Sequence, residues 1–285
     1  MSRTGSGRGR ERSSGGGLGG DRVEGRNAVR ELLVARRRAV RDVWIARTVA
    51  GDDLADLTDL ARDAGARVHL VDPDALAARA RTDAPQGVVA RAAPVPSADA
   101  TAVLRAPGAF LVALDGVTDP GNLGAVLRAA DTAGVTGVIV PRHRAAHLTP
   151  AAVKAAAGAV EHVPVASVAG IPALLDRARR EGVWTVGLDA AGDASVFDLP
   201  VATDRVLLVL GAEGTGLARL TRARCDVVAR IPLYGALESL NVASAAAVAA
   251  HALAHQRHAG SSVNSGRYSD QSVRKNQPGG RDGRR

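Results

Sequence analysis

From residue 109 to about residue 257, short apolar runs alternate with stretches of helical periodicity. This alternation restricts the fold more than any other feature of the chain. Strands are expected at 109–114, 137–140, 183–188, 205–210 and 226–231, and helices near 122–133, 150–158, 171–181, 216–223 and 240–257. Strand–helix alternation requires crossover connections, which lay helices on both faces of a mostly parallel sheet. Such α/β sheets take ligands beyond the carboxyl ends of their strands. The loops after residues 114, 188, 210 and 231 are therefore where chemistry is expected.

A smaller α/β unit precedes this region. Glu24 to about Arg36 reads as a helix with Val29, Leu32 and Leu33 on one face. Val43–Ala46, Val68–Val71 and Gly87–Ala90 read as strands. Asp52 and Asp53 open a second helix ended by Gly65, and Asp72-Pro73 starts a short third one. The prolines and glycine at 94, 96, 107 and 108 mark a linker with a short helix inside it. The expected organisation is a tail over 1–22, a first domain over 23–92, a linker over 93–108, a second domain over 109–258 and a tail over 259–285.

Charge divides the chain in the same way. The net charge is +8. Residues 1–22 carry +3 and residues 256–285 carry +5, which leaves 23–255 formally neutral. Both ends are rich in Gly, Ser and Arg and poor in apolar residues, which predicts disorder. Basic tails on a neutral body suit capture of a polyanion, nucleic acid first; the alternative is a solubility function alone. A single cysteine, Cys225, excludes an intrachain disulfide framework and any thiolate-rich metal site. His251 and His255 stand i, i+4, but Ala252 replaces the glutamate of a zincin helix, so no metal is expected. No apolar run reaches spanning length and the first residues lack an apolar h-region, so no membrane association is expected and a cytoplasmic protein is. A platform for stacking single-stranded bases needs several clustered aromatics, and with only six in the chain none is expected.

Three loops carry chemical signals. In the first, Asp119-Pro-Gly-Asn122 turns into a helix with Asn122 as its candidate N-cap, and Arg128 follows in an otherwise apolar helix start. Arg128 either meets an anion or pairs at the surface with Asp131 at i+3. In the second, an apolar strand runs into Gly211, Glu213, Gly214 and Gly216. Leu217 stands where a phosphate-binding loop needs Lys, and Arg219 where a dinucleotide fingerprint needs its third glycine. Glu213 either holds a ligand or caps the helix expected from 216. In the third, Ile231-Pro232 ends a strand, and Ser239 and Asn241 stand at the mouth of an alanine-rich helix, where caps and ligand donors look alike.

Taken together, Asn122-Leu-Gly-Ala-Val-Leu-Arg128, Leu210-Gly-Ala-Glu-Gly-Thr-Gly216, and Ile231-Pro-Leu233 with Ser239-Leu-Asn241 resemble the SpoU/TrmH-type RNA 2′-O-ribose methyltransferases of the SPOUT superfamily. Val23–Leu32 is similar to the start of the small RNA-binding domain that precedes the catalytic domain in many members. The resemblance implies a Rossmann-like parallel sheet whose C-terminal part forms a trefoil knot, S-adenosylmethionine as cofactor, and a homodimer. It implies that Gly211, Ile231 and Leu240 receive the adenosine and that Asn122, Arg128, Glu213, Ser239 and Asn241 form the reaction site, without a metal. Members commonly carry Ser where this chain has Ala243. The implied substrate is a guanosine of 23S ribosomal RNA, with transfer RNA as the alternative. A non-catalytic RNA-binding or ribosome assembly factor of the same fold is a third reading.

Overall fold

The computed structural model describes residues 17–48, 52–143 and 145–262. The first unit contains β1 (Arg22–Glu24), α1 (Arg26–Ala35), β2 (Val40–Ala46), α2 (Asp52–Asp63), β3 (Arg67–Val71), α3 (Pro73–Ala77) and β4 (Val88–Ala92). Its sheet runs β1-β4-β2-β3, with β2 and β3 parallel and the other pairs antiparallel. Helix α1 begins two residues later than its periodicity suggests. Gly25 sits at φ 96°, a left-handed conformation that suits glycine, and Glu24 stays in β1. The buried Glu24 carboxylate accepts the backbone N–H groups of Arg81 (2.7 Å) and Thr82 (3.0 Å).

Helix α4 (Ala100–Arg105) leads into the second unit: β5 (Phe110–Asp115), α5 (Pro120–Thr132), β6 (Gly137–Pro141), α6 (Pro150–Ala155), a 3₁₀ turn (Ala159–Glu161), β7 (Val165–Val168), α7 (Ile171–Arg180), β8 (Trp184–Leu188), β9 (Ala194–Ser195), β10 (Val206–Gly211), α8 (Arg219–Arg224), β11 (Val227–Arg230) and α9 (Val242–Ser262). The sheet order is β7-β6-β5-β10-β8-β11-β9, and every pairing is parallel. The expected strands form, and the sheet gains β7 and β9. In β5, Phe110, Val112 and Leu114 join one core while Leu111 and Ala113 join the other. Burial on both faces explains why the strand reads as an unbroken apolar run. Helices α5 and α6 pack closely because Gly124 has no side chain; a Cβ there would lie 2.2 Å from the Ala152 carbonyl oxygen.

The two units share one apolar core, which joins Val29 and Leu32 of α1 to Val153, Ala156 and Ala159. A buried ion pair reinforces it. Arg38 meets Glu161 through two bonds, of 2.6 and 3.1 Å, and donates to the carbonyls of Gly20 (2.6 Å) and Ala93 (2.7 Å). The residues read from composition as tail and linker take part in this packing. Leu18 donates to Val95 and Val95 to Gly19, so 17–22 is an ordered strap, in contrast to the tail expected there. Within 93–108, Ala98 bonds to Val165, and α4 buries Val103 and Leu104. At the other end, 259–262 continue α9. The remaining tail residues, 1–16 and 263–285, lie outside the described residues. No helix among the described residues is long and apolar enough to cross a membrane.

Candidate functional site

A pocket of about 430 Å³ opens at the carboxyl ends of β8, β10 and β11. Leu188, Leu210, Ile231 and Leu240 give it apolar walls; Asp189, Glu213 and Glu238 bring carboxylates to it. Three of the four loops expected to carry chemistry line it. The fourth, after β5, approaches through Asp115, whose carboxylate accepts the Ala218 N–H at 3.1 Å. Volume and lining suit a nucleoside-sized ligand, with apolar surface for a base and a few polar groups for orientation.

The glycine-rich loop is shaped by its own backbone. Ala212 and Gly216 exchange two N–H···O bonds, of 3.1 and 2.9 Å, with Gly214 and Gly216 at φ 75° and 65°. This closed loop delays helix α8 to Arg219, three residues beyond its expected start, so Glu213 does not cap that helix. A Cβ on Gly211 would stand 2.2 Å from the Gly216 carbonyl oxygen and 2.3 Å from the Leu217 nitrogen. Gly211→Ala is therefore expected to force the loop open, at a cost of about 1–3 kcal/mol or more. Thermal unfolding should show that loss, and calorimetry should show loss of nucleoside binding.

Asn241 is the junction of the site. Its Oδ1 accepts the N–H groups of Ala243 (2.8 Å) and Ser244 (3.3 Å), so it is the N-cap of α9. Its Nδ2 donates to Asn122 Oδ1 at 3.0 Å and to the Glu213 carboxylate. Glu213 also accepts the Val242 N–H at 3.3 Å. Capping and cross-linking thus coexist in one side chain. The Ala243 difference leaves the cap intact, because the contact uses backbone N–H.

Asn122 is not the N-cap of α5. Asp119 fills that position and accepts the Asn122 N–H at 2.7 Å, with Pro120 in the first turn. The Asn122 amide is thereby left to meet Asn241. Arg128 is exposed on α5, outside the pocket lining. Among the described residues its guanidinium pairs with no carboxylate, Asp131 included. Gly211, Glu213, Ile231, Ser239 and Leu240 line one pocket; Asn241 joins its rim through Glu213, and Asn122 through Asn241. The motifs did not point to Asp189. Its position just after β8 was the available signal.

Cys225 sits in surroundings that disfavour its thiolate. Burial, and then the Asp226 carboxylate, push its thiol up to about 12. At pH 8 a thiol-reactive disulfide reagent should label the native protein on the order of a thousandfold more slowly than the unfolded chain, because only thiolate reacts. Equal rates would contradict this environment. His251 Nδ1 lies 3.0 Å from the Ala247 carbonyl, and no metal-binding cluster occurs among the described residues.

Residues 109–251 match the model of the SpoU rRNA Methylase family, and residues 22–98 match that of the RNA 2′-O ribose methyltransferase substrate-binding domain. The chain is 40% identical over 238 residues to the 23S rRNA (guanosine-2′-O-)-methyltransferase RlmB of a Burkholderia species, covering 82% of this chain and 96% of that protein. It is 38% identical over 247 residues to the RlmB of Pseudomonas aeruginosa, covering 83% and 97%. The crystal structure of the SpoU methyltransferase AviRb from Streptomyces viridochromogenes, in complex with AdoMet, superposes with a TM-score of 0.71 at 29% identity, covering 84% of this chain and 91% of that one. With both units matched and near-complete relatives at this identity, the chain belongs to the SpoU rRNA methylase family.

Proposed function

We propose that this protein transfers a methyl group from S-adenosylmethionine to the ribose 2′-hydroxyl of a guanosine in 23S ribosomal RNA. The observation that carries the reading is the Asn122–Asn241–Glu213 junction at the rim of a nucleoside-sized pocket. The names of the RlmB relatives and the AdoMet complex of AviRb support it. The cofactor, when bound, supplies an electrophilic methyl group on a sulfonium.

The chain's own residues do the rest. Gly211, Ile231 and Leu240 receive the adenosine, and Ser239 and Asn241 orient the ribose that is to be methylated. Glu213 holds Asn241, and through it Asn122, in place. The 2′-hydroxyl releases its proton to solvent as its oxygen forms the bond to the methyl group, and negative charge develops on that oxygen as the proton leaves. Arg128 is assigned no proton transfer, because a guanidinium is a poor base. Its role is to clamp the adjacent phosphate and to stabilise that developing charge. Its exposure and its lack of a described carboxylate partner leave the guanidinium available for this.

The active form is a homodimer. Tyr234 is 95% exposed and Leu237 81%, both in the loop that borders the pocket, an apolar surface that a second copy would cover. A trefoil knot in the C-terminal part of the sheet belongs to the same reading; the packing of α9 on α5 supports it. The protein acts in the cytoplasm on RNA, with residues 22–98 as the substrate-binding domain. Calorimetry with S-adenosylmethionine, followed by labelled methyl transfer to total RNA, tests the reading. Donor binding and label at a site resistant to alkaline cleavage are expected. A protein that ignores the donor would refute it.

A further inference from the structure

The outer face of the N-terminal sheet brings together residues far apart in sequence. In the register of β4, β2 and β3, Arg91, Asp42 and Arg67 lie side by side, and Trp44 lies beside His69 in the next row. The Asp42 side chain is 5% exposed. It accepts from Arg67 (3.0 Å) and His69 (3.1 Å) on one oxygen and from Arg91 (3.1 Å) on the other. Burial alone would raise its pKa, but the His69 hydrogen bond and the two arginines hold its carboxyl below the usual range, so it stays ionised. One buried carboxylate thus fixes two arginines whose side chains remain 72% and 45% exposed. Beside them the Trp44 and His69 rings stack, with centroids 5.4 Å apart and planes 15° apart, and the Arg79 guanidinium lies 5.8 Å from the Trp44 ring centre. Among the described residues, helix α3 covers one end of this face, where Leu76 packs on Ala46 and Val89.

Cross-strand ion pairs serve many sheets, but this cluster has more than such pairs need. Two permanent cations share one anion, so positive charge is left over. The arginines are also pre-oriented next to a partly exposed aromatic stack. Phosphate clamps beside a π-surface are the two elements that recognise single-stranded or looped RNA. We propose that this face, centred on Trp44, His69, Arg67 and Arg91, docks an unpaired segment of the substrate RNA, with phosphates on the arginines and a base continuing the Arg79–Trp44–His69 column. The proposal rests on the RNA methyltransferase reading and names the surface that captures the substrate.

The test is equilibrium binding of the full chain to an unmodified 23S ribosomal RNA transcript across a salt series, with methyl transfer to the same transcript measured in parallel. Arg67→Gln combined with Arg91→Gln keeps a hydrogen-bond donor for Asp42 and removes two charges. It should weaken binding and lower the slope of log affinity against log salt by about 1.4–1.8. Trp44→Leu should cost about 5- to 150-fold in affinity with the slope unchanged. Both should lower the melting temperature but keep the wild-type affinity for S-adenosylmethionine, which shows that the folded protein is being compared. If the wild type methylates the transcript while both variants bind it with unchanged affinity and slope, the surface assignment is wrong and the enzymatic reading survives. If the wild type methylates no RNA, the enzymatic reading fails, and the binding series still decides whether this face holds RNA.

Discussion

Arg128→Ala should lower the rate of methyl transfer by about a hundred- to a thousandfold, the loss typical of removing one preorganised donor to a developing oxyanion. The fold should survive. The side chain is exposed on α5, while the helix is held by its Asp119 cap and by buried Leu123, Val126 and Leu127. Affinity for S-adenosylmethionine should also survive, because Arg128 lies outside the pocket lining. Arg128→Lys should recover only part of the rate: the charge returns, but the planar fork that matches a phosphate does not. Single-turnover kinetics at saturating donor would separate these cases. Near-wild-type turnover in Arg128→Ala would remove the residue from the reaction.

The second large effect concerns stability. Arg38→Ala should destabilise the protein by about 3–5 kcal/mol, the cost of stripping one partner from a buried ion pair. That is a large share of the roughly 5–15 kcal/mol that holds a typical domain folded. The Arg38 and Glu161 side chains are 3% and 2% exposed. Removing Arg38 leaves the Glu161 carboxylate in the interior and orphans the Gly20 and Ala93 carbonyls. Glu161→Gln should cost less, because an amide oxygen still accepts one bond. The losses should appear as lower denaturant midpoints. They should also loosen the N-terminal unit from the catalytic one, seen as faster amide exchange in 17–20 and across the 3₁₀ turn at Ala159–Glu161. A variant as stable as the wild type would show that the shared apolar core alone joins the units.

These two residues differ in how far the sequence revealed them. Arg128 stood out locally, as a cation in an apolar helix start six residues after a turn. Arg38 and Glu161 are 123 residues apart and carry no local signal. The same holds through the site. The strand ends and the loops after them were readable from alternation, as was Asn241 at the start of α9. The bond from Asn241 to Asn122 was not, because it spans 119 residues. At α5 the cap is Asp119 rather than the expected Asn122, and Pro120 carries the local signal: proline favours the first helical turn, which makes the preceding residue the cap. Strands β7 and β9 carry little sequence signal because they are short and rich in small residues, and pairing with a neighbour makes them strands. The Trp44–His69 stack answers the apparent lack of an aromatic platform: its partners meet only once β2 and β3 pair in parallel register.

The most direct measurement is the chemical identity of the product nucleoside. Purified protein, isotope-labelled S-adenosylmethionine and an unmodified 23S ribosomal RNA transcript would be incubated together, and the RNA digested to nucleosides and resolved by mass spectrometry. Labelled 2′-O-methylguanosine is the predicted product. Label on a nucleobase, or none in the RNA, would contradict the assignment.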